Sequence, residues 1–163
     1  MRVEELMHKG VRVCRPDEAM TEAARIMWEA DCGCVPVVSG AGDGRLVGIV
    51  TDRDLCMAAY TRGKPLAELC VRDAMSRDVR SCAPGDTLAA AAGAMRAAQV
   101  RRLPVVDAAG QLLGIVSLSD VAREFTRLRA RGKKGISAVE LGELLAGICE
   151  PRQLGPGAPQ RSR

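Results

Sequence analysis

Apolar positions along this chain switch between helix-like and strand-like spacing, and the whole series occurs twice. In the first occurrence Val11 to Cys14 reads as a short strand, stopped by Pro16-Asp17. That pair opens a helix with Met20, Ala23, Ala24 and Met27 on one face at three- and four-residue spacing. Cys32-Gly33-Cys34 ends the helix, Val35 to Val38 is a short buried strand, Gly40 to Gly44 is a turn, and Leu46 to Val50 is an apolar run suited to pairing with that strand. Thr51 then begins a helix through Leu55, Ala58 and Ala59. The second occurrence predicts a strand over 79–82 and a helix with Leu88, Ala91, Ala92 and Met95 inward. Strands over 103–106 and 112–116 and a helix from about Leu118 follow.

The two series are one unit duplicated. Adding 68 to Met7, Val11, Arg12, Cys14, Pro16, Ala23, Ala24, Met27, Ala30, Pro36, Val37 and Val38 lands on the same residue type each time; past the glycine-containing loop the offset is 66. Any site formed between the copies should therefore have a relative. Val3-Glu4-Glu5-Leu6-Met7 and Val71-Arg72-Asp73-Ala74-Met75 are echoes of each other, so each copy is expected to own a short lead-in that packs its Met. The expected organisation is repeat 1 over 3–62, a linker and lead-in over 63–75, and repeat 2 over 76–128. Ser137-x-x-Glu140 has the form of a capping box, predicting a helix within 136–149. A Pro-, Gly- and Arg-rich end over 150–163 is expected to be disordered.

Composition narrows the class. With 47% hydrophobic residues among 163, the chain can fill one core or two small shared ones. No apolar run approaches the roughly 20 residues that span a bilayer, and the first residues lack a signal peptide's apolar stretch, so a cytoplasmic protein without membrane contact is expected. The net charge of +4 sits in the last quarter: residues 1–122 carry 15 basic and 16 acidic side chains, residues 123–163 carry 9 and 4. Arg123, Arg127, Arg129, Arg131, Lys133 and Lys134 within segment 123–134 would meet a nucleic acid or an acidic partner, or form a solvated helix face. The second is the expectation, and nucleic acid is not expected as a partner.

Seven cysteines in apolar surroundings read as reduced thiols that pack as small hydrophobes. Cys14 and Cys82 are equivalent, which favours packing, whereas Cys32-Gly33-Cys34 occurs only in the first copy. With Cys14 or His8 as further ligands, Cys32 and Cys34 are candidates for a zinc or redox site; the expectation is that no metal binds. No nucleophile elbow, phosphate-loop or zinc-protease motif is present, so no catalytic residue is assigned and no cofactor is required.

The candidate chemistry lies in the most exact part of the repeat. Gly48-Ile49-Val50-Thr51-x-x-Asp54 returns as Gly114-Ile115-Val116-Ser117-x-x-Asp120. A hydroxyl followed three residues later by a carboxylate is a near relative of the capping box and sufficient for structure alone. Its duplication at strand ends, where helix N-termini attract anions, adds a ligand-binding reading.

These motifs, each preceded by a Pro-Val-Val strand, resemble a pair of CBS repeats over roughly residues 3–128. The layout is similar to stand-alone bacterial two-repeat proteins of the hypoxic-response type. The resemblance implies an α/β (α+β) fold of two β-α-β-β-α repeats packed as a pseudo-two-fold pair. It also implies a regulatory ligand: an adenine nucleotide (AMP, ADP or ATP), NAD or S-adenosylmethionine, held in clefts between the repeats. On that resemblance Asp54 and Asp120 accept hydrogen bonds from ribose hydroxyls, and Thr51 and Ser117 meet ribose or phosphate. The backbone of Val11, Arg12 and Val13, and of Val79, Arg80 and Ser81, reads the adenine edge. Arg53, Arg101 and Arg102 are phosphate candidates. The chain carries one Trp, one Tyr and one Phe, so a purine is expected between aliphatic side chains. A homodimer through the helices and an unknown effector protein are the implied partners.

Overall fold

Each half of the chain folds into an antiparallel hairpin flanked by two helices; the computed structural model describes residues 1–132 and 137–150. The first half contains α1 (Met20–Glu29), β1 (Cys34–Val38), β2 (Leu46–Thr51) and α2 (Asp52–Arg62). The second repeats this as α3 (Leu88–Ala98), β3 (Arg102–Val106), β4 (Leu112–Ser117) and α4 (Leu118–Ala130), and α5 (Ala138–Cys149) follows. Strand pairing repeats position by position: Cys34 opposes Thr51 and Val35 opposes Val50, as Arg102 opposes Ser117 and Leu103 opposes Val116.

A pseudo-two-fold axis relates the halves and passes between Arg45 and Gln111. These repeat-equivalent residues form an antiparallel bridge with each other. On either side Leu46 N–H donates to Gly110 O and Leu112 N–H to Gly44 O, both at 3.0 Å. The two hairpins are thus joined backbone to backbone at their loop ends.

The lead-ins depart from expectation, because each packs on the other repeat. Val3 lies in the core of Leu88, Met95, Leu103, Val105 and Val116, whereas Val71 and Met75 lie with Met20, Val35, Val37 and Val50. The bridges are reciprocal: Arg2 with Thr87 and His8 with Ile115, Ala19 with Cys70 and Ile49 with Ser76. Full burial of a Val or Met side chain is worth about 1.5–3 kcal/mol, so each repeat depends on its neighbour's lead-in for part of its core.

The expected leading strands, 11–14 and 79–82, reduce to one bridge each, Cys14 with Val37 and Cys82 with Val105, both parallel. Proline is the reason. Cys14 N–H reaches Pro36 O and Val38 N–H reaches Cys14 O, but the next bonds of a parallel ladder would need N–H groups from Pro16 and Pro36, which have none. Pro84 and Pro104 impose the same limit on the second copy.

Helix α1 begins at Met20 rather than at Pro16-Asp17. Ala19 is held extended by its bridge to Cys70, and Met20 N–H is bound by Leu69 O. The predicted capping box at Ser137 and Glu140 forms and starts α5, which buries Leu144 and Ile148 in the second core. Residues 151–163, where disorder was expected, lie outside the described residues, as do Lys133 and Lys134.

Candidate functional site

Both repeated motifs sit where the second strand of a hairpin turns into a helix, at equivalent places about the pseudo-two-fold. At the first, Asp54 Oδ2 accepts from Thr51 N–H at 2.9 Å and from Thr51 Oγ1 at 2.7 Å, while Asp54 N–H donates back to Thr51 Oγ1 at 3.2 Å. The box caps α2 and leaves the carboxylate half used. Among the described residues, no donor reaches Asp54 Oδ1, and Asp54 is half-buried.

The second motif has the same cap. Asp120 Oδ2 accepts from Ser117 N–H at 2.8 Å and from Ser117 Oγ at 2.6 Å. Its other oxygen is occupied too. His8 Nε2 lies 2.9 Å from Asp120 Oδ1, and Arg123 Nη2 donates to the same atom. Because an ionised carboxylate only accepts, Nε2 is the protonated ring nitrogen. Asp120 is 2% exposed. Burial, the largest single influence, pushes its carboxyl up, but the Ser117 and His8 hydrogen bonds together outweigh it and hold the group below its ordinary value.

His8 and Arg123 are the contacts sequence reasoning misses: it reads His8 as a polar residue of the lead-in, with a metal role as the alternative, and Arg123 as part of a basic helix face. A signal for them existed in the repeat itself: the position equivalent to His8 is Ser76, and the position equivalent to Arg123 is Met57.

The phosphate candidates divide. Arg53 is exposed beside the N-terminus of α2, with no side-chain partner among the described residues. Arg102 comes from the other repeat yet lies next to Gly33 and the Cys34 thiol, close to Asp52 at the start of α2. Cys34 and Arg102 are repeat-equivalent, so each faces its counterpart near the pseudo-axis. Arg101 is exposed and meets α4 through its backbone, Leu118 N–H donating to its carbonyl at 2.9 Å.

Residues 11–13 and 79–81 are extended connectors whose main-chain groups make no hydrogen bonds among the described residues. The lead-in exchange sets their location. His8 at Asp120 leads into Val11, Arg12 and Val13, while Ser76, paired with Ile49, leads into Val79, Arg80 and Ser81. Arg12 is engaged by Glu29 at 2.7 Å and Arg80 by Asp78 at 3.5 Å.

The metal candidates are not brought together. Cys14 is buried against Pro36 O, Cys32 faces Cys34 O at 3.4 Å, and His8 is at Asp120. Among the described residues no three His, Cys, Asp or Glu side chains converge on one point. In the basic segment Arg123 is turned onto Asp120, and Arg127 onto Glu124 at 2.6 Å. No described helix is long and apolar enough to cross a membrane.

Comparison with known proteins fits this geometry. The family model described as CBS domain matches twice, over residues 3–60 and 71–127. The CBS domain-containing protein YhcV of Bacillus subtilis is 35% identical over 120 residues, 74% of this chain and 82% of that protein. An inosine-5'-monophosphate dehydrogenase of Korarchaeum cryptofilum is 33% identical over 82% of this chain, which spans only 26% of the enzyme. Among solved structures, CBSX2 in complex with AMP superposes with a TM-score of 0.69 and 27% identity, covering 78% of this chain and 98% of that one. The CBS domain pair of MJ0100 in complex with 5-methylthioadenosine and S-adenosyl-L-methionine superposes with a TM-score of 0.69 and 25% identity, covering 78% and 97%.

Proposed function

Because the chain belongs to the CBS domain family, we propose that it is a non-enzymatic regulatory module that binds an adenosine-containing ligand at the first motif. The observation that carries this reading is the free side of Asp54. A carboxylate accepts about four hydrogen bonds; Thr51 supplies two, both to Oδ2. Oδ1 is left for a vicinal diol, the group a ribose presents. Arg53 and Arg102 flank the same helix N-terminus, whose dipole favours a phosphate. The unpaired main chain of Val79, Arg80 and Ser81, which follows the lead-in beside β2, is the purine reader for this cleft. The adenosyl ligands of CBSX2 and MJ0100 support the ligand class.

Binding is the whole chemistry. The dehydrogenase match spans only a quarter of that enzyme, so its activity is not carried to this chain. Occupancy alters the protein through differential affinity for two arrangements, here the relative tilt of the hairpins joined at Arg45 and Gln111. The output passes through association. The α1–α2 face is the surface for a second copy, because Trp28 is exposed at a groove of about 420 Å³ lined also by Ala24, Met27, Leu55 and Ala59. The related face of the second repeat is covered in part by α5.

Thermal unfolding of the reduced protein with AMP, ADP, ATP, NAD or S-adenosylmethionine, and GTP as the control, tests the reading. A ligand at about a hundredfold excess over its Kd adds about 2.7 kcal/mol, a shift of several degrees. A shift with an adenosyl compound and not with GTP is expected; no shift with any of the five contradicts it.

A further inference from the structure

We propose that His8 and Arg123 decide which of the two equivalent clefts takes the ligand, by filling in the second cleft the carboxylate positions that a ribose diol would occupy. This rests on the reading of Asp54 as the ribose acceptor. The two motifs are superposable in their caps and differ in what reaches the outer oxygen. Asp120 receives four donors: Ser117 N–H and Oγ on Oδ2, His8 Nε2 and Arg123 Nη2 on Oδ1. Four is the acceptor capacity of a carboxylate. Asp54 receives two, and both positions equivalent to its missing partners carry side chains unable to supply them. Ser76 is too short and exposed, and Met57 is no donor.

Solvent exposure agrees. The Asp120 side chain is 3% exposed while His8 is 64% exposed, so the imidazole lies over a carboxylate that has lost its water. The lead-in cannot easily swing away. His8 is fixed by a two-way backbone bridge to Ile115, N–H to O at 2.9 Å and O from N–H at 3.0 Å, and Met7 beside it packs against the second core.

The cations follow the same division. Beside α2 stand Arg53 and Arg102; their equivalents beside α4 are Ser119 and Cys34. A phosphorylated ligand entering the second cleft would have to displace the Asp120–Arg123 ion pair, with Arg101 as the phosphate candidate beside the start of α4. The chain therefore takes one ligand at Asp54, and its second site is satisfied by its own lead-in and α4.

The test is calorimetric titration of AMP into the full chain and into the His8→Ser, Arg123→Met double variant, which installs in the second repeat the residues native to the first. One AMP per chain for the wild type and two for the double variant are expected. Two sites in the wild type, or one in both proteins, overturn the proposal. AMP taken up by the double variant alone supports it while refuting Asp54 as the acceptor. No uptake by either protein of AMP, nor of ADP, ATP, NAD or S-adenosylmethionine titrated in its place, removes both readings. Single variants decide the matter if the double variant does not fold. Asp54→Asn is expected to weaken AMP by about tenfold or more, the loss of one charge-assisted hydrogen bond, and Asp120→Asn to leave its affinity unchanged; the reverse pattern overturns the assignment.

Discussion

The carbonyl oxygen of His8 stands 2.5 Å from where a Cβ on Gly114 would project. The glycine that opens the repeated motif is therefore a packing requirement of the crossing lead-in, in addition to any role beside a ligand. At the equivalent Gly48 the nearest atom is Met75 Sδ at 2.8 Å, with Ser76 O at 3.1 Å. A thioether can rotate aside, whereas the His8 carbonyl is held in its bridge to Ile115. Gly114→Ala is expected to cost about 1–3 kcal/mol, the usual penalty for overpacking, and Gly48→Ala less. Urea midpoints of the two variants check the order.

The thiols should divide by burial. Burial, helped by the charges of Glu18 and Glu22, pushes Cys14 up to about 12; burial and Asp86 push Cys82 up to about 11. Cys34 is raised chiefly by burial, against the opposing pull of Arg102. Cys56 and Cys149 are exposed. Iodoacetamide at mildly alkaline pH, followed by mass spectrometry, should label Cys56 and Cys149 first and reach Cys14, Cys34 and Cys82 only on unfolding. Rapid labelling of Cys34 in the native protein would revive a thiol-sensor reading.

Acid should remove what Asp120 contributes. Its folded carboxyl titrates below the ordinary 3.8, so the stability it adds is present above that value and is lost as pH falls through the folded pKa. Wild-type and Asp120→Asn melting temperatures should differ near neutrality and converge in acid. A gap that stays constant to the lowest pH would mean that the charge of Asp120 adds nothing.

Association should depend on the α1–α2 face. Trp28 is 88% and Tyr60 80% exposed, so replacing either touches little within the protomer, and exposed positions usually change stability by less than about 0.5 kcal/mol. Trp28→Glu is expected to convert a dimer to a monomer in sedimentation velocity with the melting temperature of the monomer intact. A wild type that sediments as a monomer at micromolar concentration contradicts the interface.

Much of this architecture is legible in the sequence because it is local. Hairpins, caps and helix faces follow from residues a few positions apart, and Thr51-x-x-Asp54 and Ser117-x-x-Asp120 announce both caps. The exchange of lead-ins is long-range, with Val3 meeting Asp86 and His8 meeting Asp120, and the repeat alignment alone does not say which copy a lead-in serves. The single-bridge leading segments were also misread, since the apolar run over 11–14 gives no sign that Pro36, a strand away, withholds the next donor. The inequality of the two clefts is written in His8 against Ser76 and Arg123 against Met57, but only the fold reveals that His8 and Arg123 reach Asp120.

Asp54→Asn tests the central claim most directly. The amide keeps an oxygen for the Thr51 cap while presenting a donor where a ribose hydroxyl needs an acceptor, which separates capping from binding. Calorimetric titration of AMP should find binding to the wild type and a loss of about 1–3 kcal/mol in the variant, as for a charge-assisted hydrogen bond, with both proteins melting alike. Unchanged affinity, or a variant that unfolds while still binding as tightly when folded, would return Asp54 to a purely structural cap.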